Sequence, residues 1–482
     1  MEQKAGAQIS QKAFVQSFLI LLVLMVFAGV LTRLVPAGQY ARSLTADGRE
    51  IILPDSYAAA ARPDFPIWRW LIAPFEVLTT GDGLTIITII LFLLIVGVAF
   101  ALLDRSGVLR AAIAQIARRF GRRKYALLLI VAFFFMLLGS FLGMFEEVVL
   151  LIPVVMALSY LLGWDSLVGL GMSILATNMG FSTAITNPFT VALAQKLAGL
   201  PLFSGAWLRI PLFLIIYAIF AFFLTRYARR VERDPQSSPV YAEDQHSRLH
   251  ATAAHNNLQV SPSQQRAVIF LAGCMVLIVA VFFLSPFVAF LSSYSLPVVG
   301  LLFLVAGLGS ALISGLPGRA LLRAAGEGAG GIAPGIPLIL MAASVKHIVA
   351  SGGIMDTLLH AASGIFAGEG TFLAALFVFL VALVLEFFVA SASAKIFLLM
   401  PLLLPLGDLV GLTRQTIVSA YCFGDGFTNM IYPTNAVLLI SLGLASIPYG
   451  KWIRWTAKLW LWVLPVLLGL LALAAAIRFG PF

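Results

Sequence analysis

The stretch Asn178 to Pro188, NMGFSTAITNP, interrupts a long apolar run with amides, hydroxyls, glycine and proline. In lipid, an N–H or C=O released from a helix finds no water. Irregular backbone at membrane depth therefore persists only where protein buries it or a cavity solvates it. The interruption recurs. Gly424 to Asn435 reads GDGFTNMIYPTN, and Pro153, Gly163, Thr186 and Asn187 return at one constant offset as Pro401, Gly411, Thr434 and Asn435. LAGLP at Leu197 to Pro201 is answered by LASIP at Leu444 to Pro448, and WLR at Trp207 to Arg209 by WIR at Trp452 to Arg454. Two halves share one plan, and interrupted apolar segments at matching places in two halves are the best sequence pointer to a carrier's binding site.

Composition removes the soluble alternatives. The chain is 61% apolar and 11% charged with a mean hydropathy of +1.01, where a soluble domain carries roughly 25% charge. Its 482 residues leave room for about ten spans of ~20 residues plus loops. The net charge of +10 sits in short loops between apolar runs, so it sets orientation in a bilayer and does not imply a nucleic-acid partner. Cys274 and Cys422 both lie in apolar segments, which gives neither a disulfide framework nor a metal-ligand spacing. No cofactor is expected. The first apolar run is too long for a signal-peptide core and is read as a span.

In order along the chain, these signals predict an all-α polytopic membrane protein built from two inverted repeats, each with a re-entrant hairpin and a broken helix. Residues 1–231 form the first repeat, with its hairpin at 125–162 and its broken helix at 165–199. Residues 232–265 form a polar cytoplasmic linker, and 266–290 a linking transmembrane helix that inverts the second repeat relative to the first. Residues 291–482 form that second repeat, with its hairpin at 371–407 and its broken helix at 412–445. The basic runs at Arg118 to Lys124 and Arg226 to Arg233 mark the cytoplasmic side and place the N-terminus there. His246, His250 and His255 in the linker lack a carboxylate or cysteine to complete a metal site and are read as solvated loop.

The breaks and hairpin tips should meet near the midplane. The residues gathered there for substrate and ion binding are Asn178, Ser182, Thr183, Thr186 and Asn187 from the first half. Asp425, Thr428, Asn429, Thr434 and Asn435 come from the second, with Ser391, Ser393 and Lys395 from its hairpin tip. Serine and threonine in apolar helices often bond back to their own backbone, which is the bland reading of each hydroxyl. Carboxylates differ, because a charge at a helix centre costs roughly 2.5–3.5 kcal/mol in a bilayer even on the gentlest scale. Glu146, Glu147 and Asp425 are therefore the candidates for coupling, the alternative being a Glu–Lys tether between hairpins. Glu386 and the Lys346-His347 pair are weaker candidates.

At these residues the sequence resembles the YfcC-like branch of the four-carbon dicarboxylate anaerobic carrier family, within the ion transporter superfamily. GMFEE (Gly143 to Glu147), NPFTVALAQKLAGLPLFSG (Asn187 to Gly205), LVGLTRQT (Leu409 to Thr416), GDGFTN (Gly424 to Asn429) and the PTN ending at Asn435 carry the resemblance. It implies a homodimeric secondary carrier of the bacterial inner membrane whose transport domain moves like an elevator against a scaffold. The hairpin tips read GMFEE and SASAK where better-understood carriers of the superfamily have Ser-Asn-Thr. An acidic tip facing a basic one suits a zwitterion as well as a dianion. The expected function is secondary active transport of a small carboxylate-bearing solute (amino acid, short peptide or dicarboxylate), coupled to H⁺ or Na⁺ or by exchange. A passive channel and a membrane enzyme acting on lipid-linked substrates are the rivals. The enzyme lacks a His- or Cys-based set, and a nucleotide-driven pump would need a phosphate-binding loop that this sequence does not contain.

Overall fold

Long runs of Leu, Ile, Val, Phe and Ala without a charge leave the backbone one way to satisfy its polar groups in lipid, which is helix. A computed structural model describes residues 11–480 apart from 45–49, 54–55, 82, 113–114, 116–122, 246–260, 285–287 and 365–369. Helices α1 (Gln11–Leu34) and α3 (Gly83–Arg105) are separated by two antiparallel ribbons, Gly38–Gln39 with Ala58–Ala59 and Arg42–Leu44 with Glu50–Ile52. A short helix α2 (Trp68–Glu76) follows the ribbons. It exposes Trp68, Leu71 and Phe75, the amphipathic aromatic face of a segment lying at a bilayer surface. Its Glu76 receives Arg69 at 2.8 Å and His347 at 2.9 Å. That contact gives the Lys346-His347 pair a structural use.

The next apolar run is α4 (Lys124–Leu137), a π turn (Leu138–Leu142), a break at Gly143, a 3-10 turn (Glu146–Leu151) and α5 (Ile152–Leu161). Then come α6 (Ser166–Leu170), a second π turn (Gly171–Leu175) and α7 (Ala176–Thr183). After a break at 184–187, a third π turn (Pro188–Ala192) and α8 (Leu193–Leu197) lead to α9 (Ala206–Arg233). The second half begins with α10 (Pro262–Leu284), α11 (Ala289–Ile313, kinked at Tyr294), α12 (Gly318–Ile332), α13 (Gly335–Ser351) and α14 (Met355–Gly364). It ends with α15 (Thr371–Glu386), α16 (Ala392–Leu409), α17 (Arg414–Gly426), α18 (Ala436–Leu444) and α19 (Tyr449–Ala476). Five stretches among the described residues are long and apolar enough to cross a bilayer: Ile86–Arg105, Lys124–Leu142, Ala206–Arg233, Gly318–Ser351 and Tyr449–Ala476. Helices α12 and α14 had no counterpart in the sequence reading. Their glycines, arginines and short length hide them from a hydropathy pattern.

Because lipid tails are as apolar as leucine, membrane helices associate through close packing at small residues. Gly97 on α3 and Gly328 on α12 lie backbone to backbone, and Gly307 on α11 sits on Ala99. In a second group, Gly180 on α7 rests on the Met136 carbonyl of α4, and Gly424 on α17 rests on the Phe379 carbonyl of α15. The two interrupted helices touch where a Cβ on Gly426 would meet Ser182 Cα at 2.6 Å. Glycine is required at that crossing.

The linker is less open than its composition suggests. Helix α9 continues to Arg233, and in the strap after it Ser238, Val240 and Asp244 are buried. Asp244 accepts the Ser166 N–H at 2.8 Å and the Tyr160 hydroxyl at 3.0 Å, while Glu243 pairs with Lys451 at 2.7 Å. Ser238 and Tyr227 both donate to Asp165, the N-cap of α6. The described start of the linker is thus docked on the first helix group. The orphaned N–H groups at the start of α6 need acceptors, and two aspartates supply them. His246, His250 and His255 lie outside the described residues.

Candidate functional site

Asn187 and Asn435 hold the same place in the two halves and make the same bond. Asn187 Oδ1 accepts the Phe189 N–H at 2.9 Å, and Asn435 Oδ1 accepts the Val437 N–H at 3.0 Å. Each caps the half-helix that restarts after its break, satisfying donors that lipid would leave unpaired. Gly143, at φ +67°, lies against Asn187 Oδ1 with no room for a Cβ, so the first break is locked to the turn after α4. Asn435 Nδ2 donates to Asn429 Oδ1 at 2.9 Å, tying the second break to itself.

The hydroxyls take the bland option. Ser182 donates to the Asn178 carbonyl, Thr183 to that of Gly180, and Thr428 to those of Gly424 and Asp425, whereas Thr186 reaches across to the Phe141 carbonyl in the turn after α4. Ser391 is exposed, and the side chain of Ser393 lies outside the described residues. A smaller set is buried with polar atoms that lack a hydrogen-bond partner among the described residues: both amide atoms of Asn178, Asn187 Nδ2 and Thr434 Oγ1. Buried unpaired polar atoms are costly.

Charge concentrates in the second half. Lys395 Nζ is 2.6 Å from Asp425 Oδ1 and is also paired with Glu386, all three side chains being at most 1% exposed. Tyr421 donates to Asp425 and to the Ala392 carbonyl, holding α16 and α17 together at this point. Asp425 Oδ2 and Glu386 Oε1 have no hydrogen-bond partner among the described residues. Two carboxylates thus share one ammonium, which leaves the cluster one positive charge short. Glu386, weighted lightly from the sequence, belongs to it. Glu146 and Glu147 do not. Glu146 is exposed on the protein surface and Glu147 is half-buried, accepting the Phe145 N–H at 3.2 Å. Lys395 sits at the second-half position equivalent to Glu147, but its partners come from α15 and α17, so the tether is built within one half. Among the described residues no cluster of His, Cys, Asp and Glu has a metal-binding composition.

Sequence reasoning passed over two residues. Arg209, on the first turn of α9, is 1% exposed and directs Nη2 at the Ile185, Phe203 and Ser204 carbonyls. Its Nε and Nη1 are without acceptors among the described residues, and so is Thr190 Oγ1. The turn carrying Thr190 packs on α17, the helix that carries Cys422 and, one turn later, Asp425. The repeated WLR and WIR carried the signal, but Arg209 entered the sequence reading only as part of that repeat. Arg454 is exposed whereas Arg209 is buried.

Apolar helices long enough to span a bilayer, wrapped around buried charges and capped helix breaks, define a multi-pass membrane carrier. The chain belongs to the DcuC family, the C4-dicarboxylate anaerobic carriers, whose family model matches residues 14–476. It is 34% identical over 403 residues, 80% of this chain and 77% of the relative, to YfcC of Escherichia coli strain K12, named provisionally as a basic amino acid antiporter. It is 26% identical over 371 residues, 76% of this chain and 71% of the relative, to an uncharacterized protein of Haemophilus influenzae strain Rd KW20. Among solved structures it is similar to the YdaH transporter of Alcanivorax borkumensis, described as having an unusual topology, with 20% identity and a TM-score of 0.43 over 97% of this chain and 100% of that one. It is also similar to MtrF of Neisseria gonorrhoeae, described as one of a class of antimetabolite efflux pumps, with 17% identity and a TM-score of 0.44 over 94% of this chain and 93% of that one. The family is one of carriers, not enzymes.

Proposed function

We propose that this chain is a secondary carrier of basic amino acids, working by exchange or in exchange for protons across the bacterial inner membrane with its N-terminus in the cytoplasm. One observation carries the reading: a lysine ammonium buried between Glu386 and Asp425, with a carboxylate oxygen of each left unpartnered. Lys395 is a covalently attached copy of the group that a basic amino acid would present. Substrate cation and Lys395 compete for the same two carboxylates, and the carrier alternates between being charge-balanced from within and from without. The name given to the 34% identical relative points the same way. Asp425 and Glu386 bind the substrate cation, and Lys395 replaces it on the return. Asn178, Asn187, Thr434 and Asn435 shape the breaks around it.

The matching caps at Asn187 and Asn435 and the glycine contacts of α7 with α4 and of α17 with α15 support two inverted repeats. In this reading the second helix group moves as an elevator against a scaffold of α3, α11 and α12 within a homodimer. Proteoliposomes loaded with unlabelled lysine test the function. Labelled lysine or arginine accumulates by counterflow, and succinate neither drives nor competes. Exchange of succinate with indifference to lysine would overturn the basic amino acid assignment. A flux that never saturates would make the chain a channel.

A further inference from the structure

We infer that Arg209, with Thr190, forms an anion position that holds the carboxylate of the transported solute. The inference rests on the carrier reading above but not on which carboxylate-bearing solute is carried.

Arg209 is a full charge inside the helical body without a counter-charge, since no described carboxylate pairs with it. One nitrogen takes three backbone carbonyls, and the other two are left without acceptors among the described residues while the side chain is 1% exposed. A structural arginine in lipid surroundings is expected to have its donors met, because each unmet charged donor is expensive. Its place in the chain makes this more pointed. Arg209 lies on the first turn of α9, where the helix dipole already supplies positive charge, so the local field asks for an anion. The repeat provides an internal comparison: Arg454, in the matching WIR, is exposed. One half has turned the arginine inward.

The chemistry of the neighbouring orphans agrees. Thr190 Oγ1 and Asn187 Nδ2 can both donate; the turn carrying Thr190 packs on α17, and Arg209 reaches the Ile185 carbonyl two residues before Asn187. The orphans one turn along, Asp425 Oδ2 and Glu386 Oε1, are acceptors. A solute with a carboxylate at one end and an ammonium at the other would complete both sets at once. Gln195 and Gln415 brace the anion side, both donating to the Ser204 hydroxyl, while Arg209 takes the Ser204 carbonyl.

The experiment compares lysine with lysinamide, which keeps both amines and lacks the carboxylate, by equilibrium binding to the purified carrier. Succinate is a third probe. Wild type is expected to prefer lysine, and Arg209→Gln to lose roughly thirtyfold or more of lysine affinity while holding lysinamide within about twofold. Thr190→Val, the milder change, is expected to lose lysine selectively by a few-fold and covers the case in which Arg209→Gln does not fold. Equal losses for both probes, or no loss, would overturn the anion position while leaving the amino acid reading standing. Binding of succinate in place of lysine, abolished in Arg209→Gln, would overturn the amino acid reading and keep the anion position. If wild type binds none of the three, both fall.

Discussion

Replacing Lys395 by methionine removes one charge and keeps the length of the side chain, so it isolates the buried cluster of Glu386, Lys395 and Asp425. In wild type the ammonium lies 2.6 Å from Asp425 and beside Glu386, with no water-exposed surface to screen the pairs. Taking it away leaves two carboxylates without a counter-charge. Breaking a buried pair from one side costs roughly 3–5 kcal/mol, mostly the penalty of the charge left behind. The variant Lys395→Met should therefore unfold or lose monodispersity at visibly lower denaturant or temperature in detergent. The triple variant Glu386→Gln, Lys395→Met, Asp425→Asn removes charge from every member. It is expected to recover most of the loss, since a neutral replacement of a buried ion pair is often neutral or stabilising. Lysine or n-butylammonium added to Lys395→Ala should restore stability, as a ligand that binds the folded state raises its apparent stability by mass action. A single variant as stable as wild type, or a triple variant no better than the single, would refute the reasoning. Either result would mean that the three side chains do not form a charge-coupled unit.

Gly143→Ala forces a left-handed backbone on alanine and drives its Cβ into Asn187 Oδ1, so it should cost at least the ~1–2 kcal/mol of that conformation, plus the cap, in a denaturation measurement. Asn187→Ala and Asn435→Ala should each cost about 0.5–2 kcal/mol as lost caps, and the double variant should abolish counterflow in folded protein; intact uptake would remove both from the site. Asp244 is pushed by burial up to about 6 from 3.8. The docked strap therefore holds its proton more tightly than the released strap, and docking weakens as pH rises through about 6. Lowering pH from 7 to 5 should favour docking about ninefold. Hydrogen exchange at the Asp244 amide, which donates to Val240 at 3.0 Å, would read the change, and Asp244→Asn should lose the pH dependence. The opposite slope, or a pH dependence kept in Asp244→Asn, would refute the assignment to Asp244.

The interrupted helices were legible because a break leaves marks on the sequence, whereas Asn187 and Asn435, read as binding residues, showed themselves as caps only in the structure. A break in lipid needs amides, glycine and proline, and the constant offset from Asn187 to Asn435 exposes the repeat. The partners of a buried charge were not. Glu386 lies nine residues before Lys395, and only the packing of α15 on α17 beside Asp425 makes the two a pair. Glu146 and Glu147 looked stronger because two acids in an apolar stretch stand out. Which face of a helix meets protein and which meets lipid or a second subunit is not a property of its own sequence, and Glu146 came out exposed. Arg209 failed to attract notice for the same reason in reverse, since a basic residue near a helix end normally marks topology.

The cluster and the arginine are joined through one helix, and this constrains any mechanism. Helix α17 packs on the turn carrying Thr190 and carries Asp425 beside Lys395. At its end, Gly426 touches Ser182 of α7. A solute spanning the donors and the acceptors would lie along one turn of α17, close to where the two interrupted helices cross. Any motion that separates α7 from α17 there would pull the donor set from the acceptor set and release both ends of the solute together. A motion that carries the two helices as one body would keep the site whole. Gly426→Ala distinguishes these cases. It wedges the crossing apart at a contact of 2.6 Å without touching a charged group. If α7, α17 and the buried cluster form one body, the wedge is transmitted to Asp425 as well, and the variant should weaken binding of lysine and lysinamide alike. A loss confined to lysine would show that only the Arg209 side had shifted, and that the cluster around Lys395 is held independently by α15 and α16.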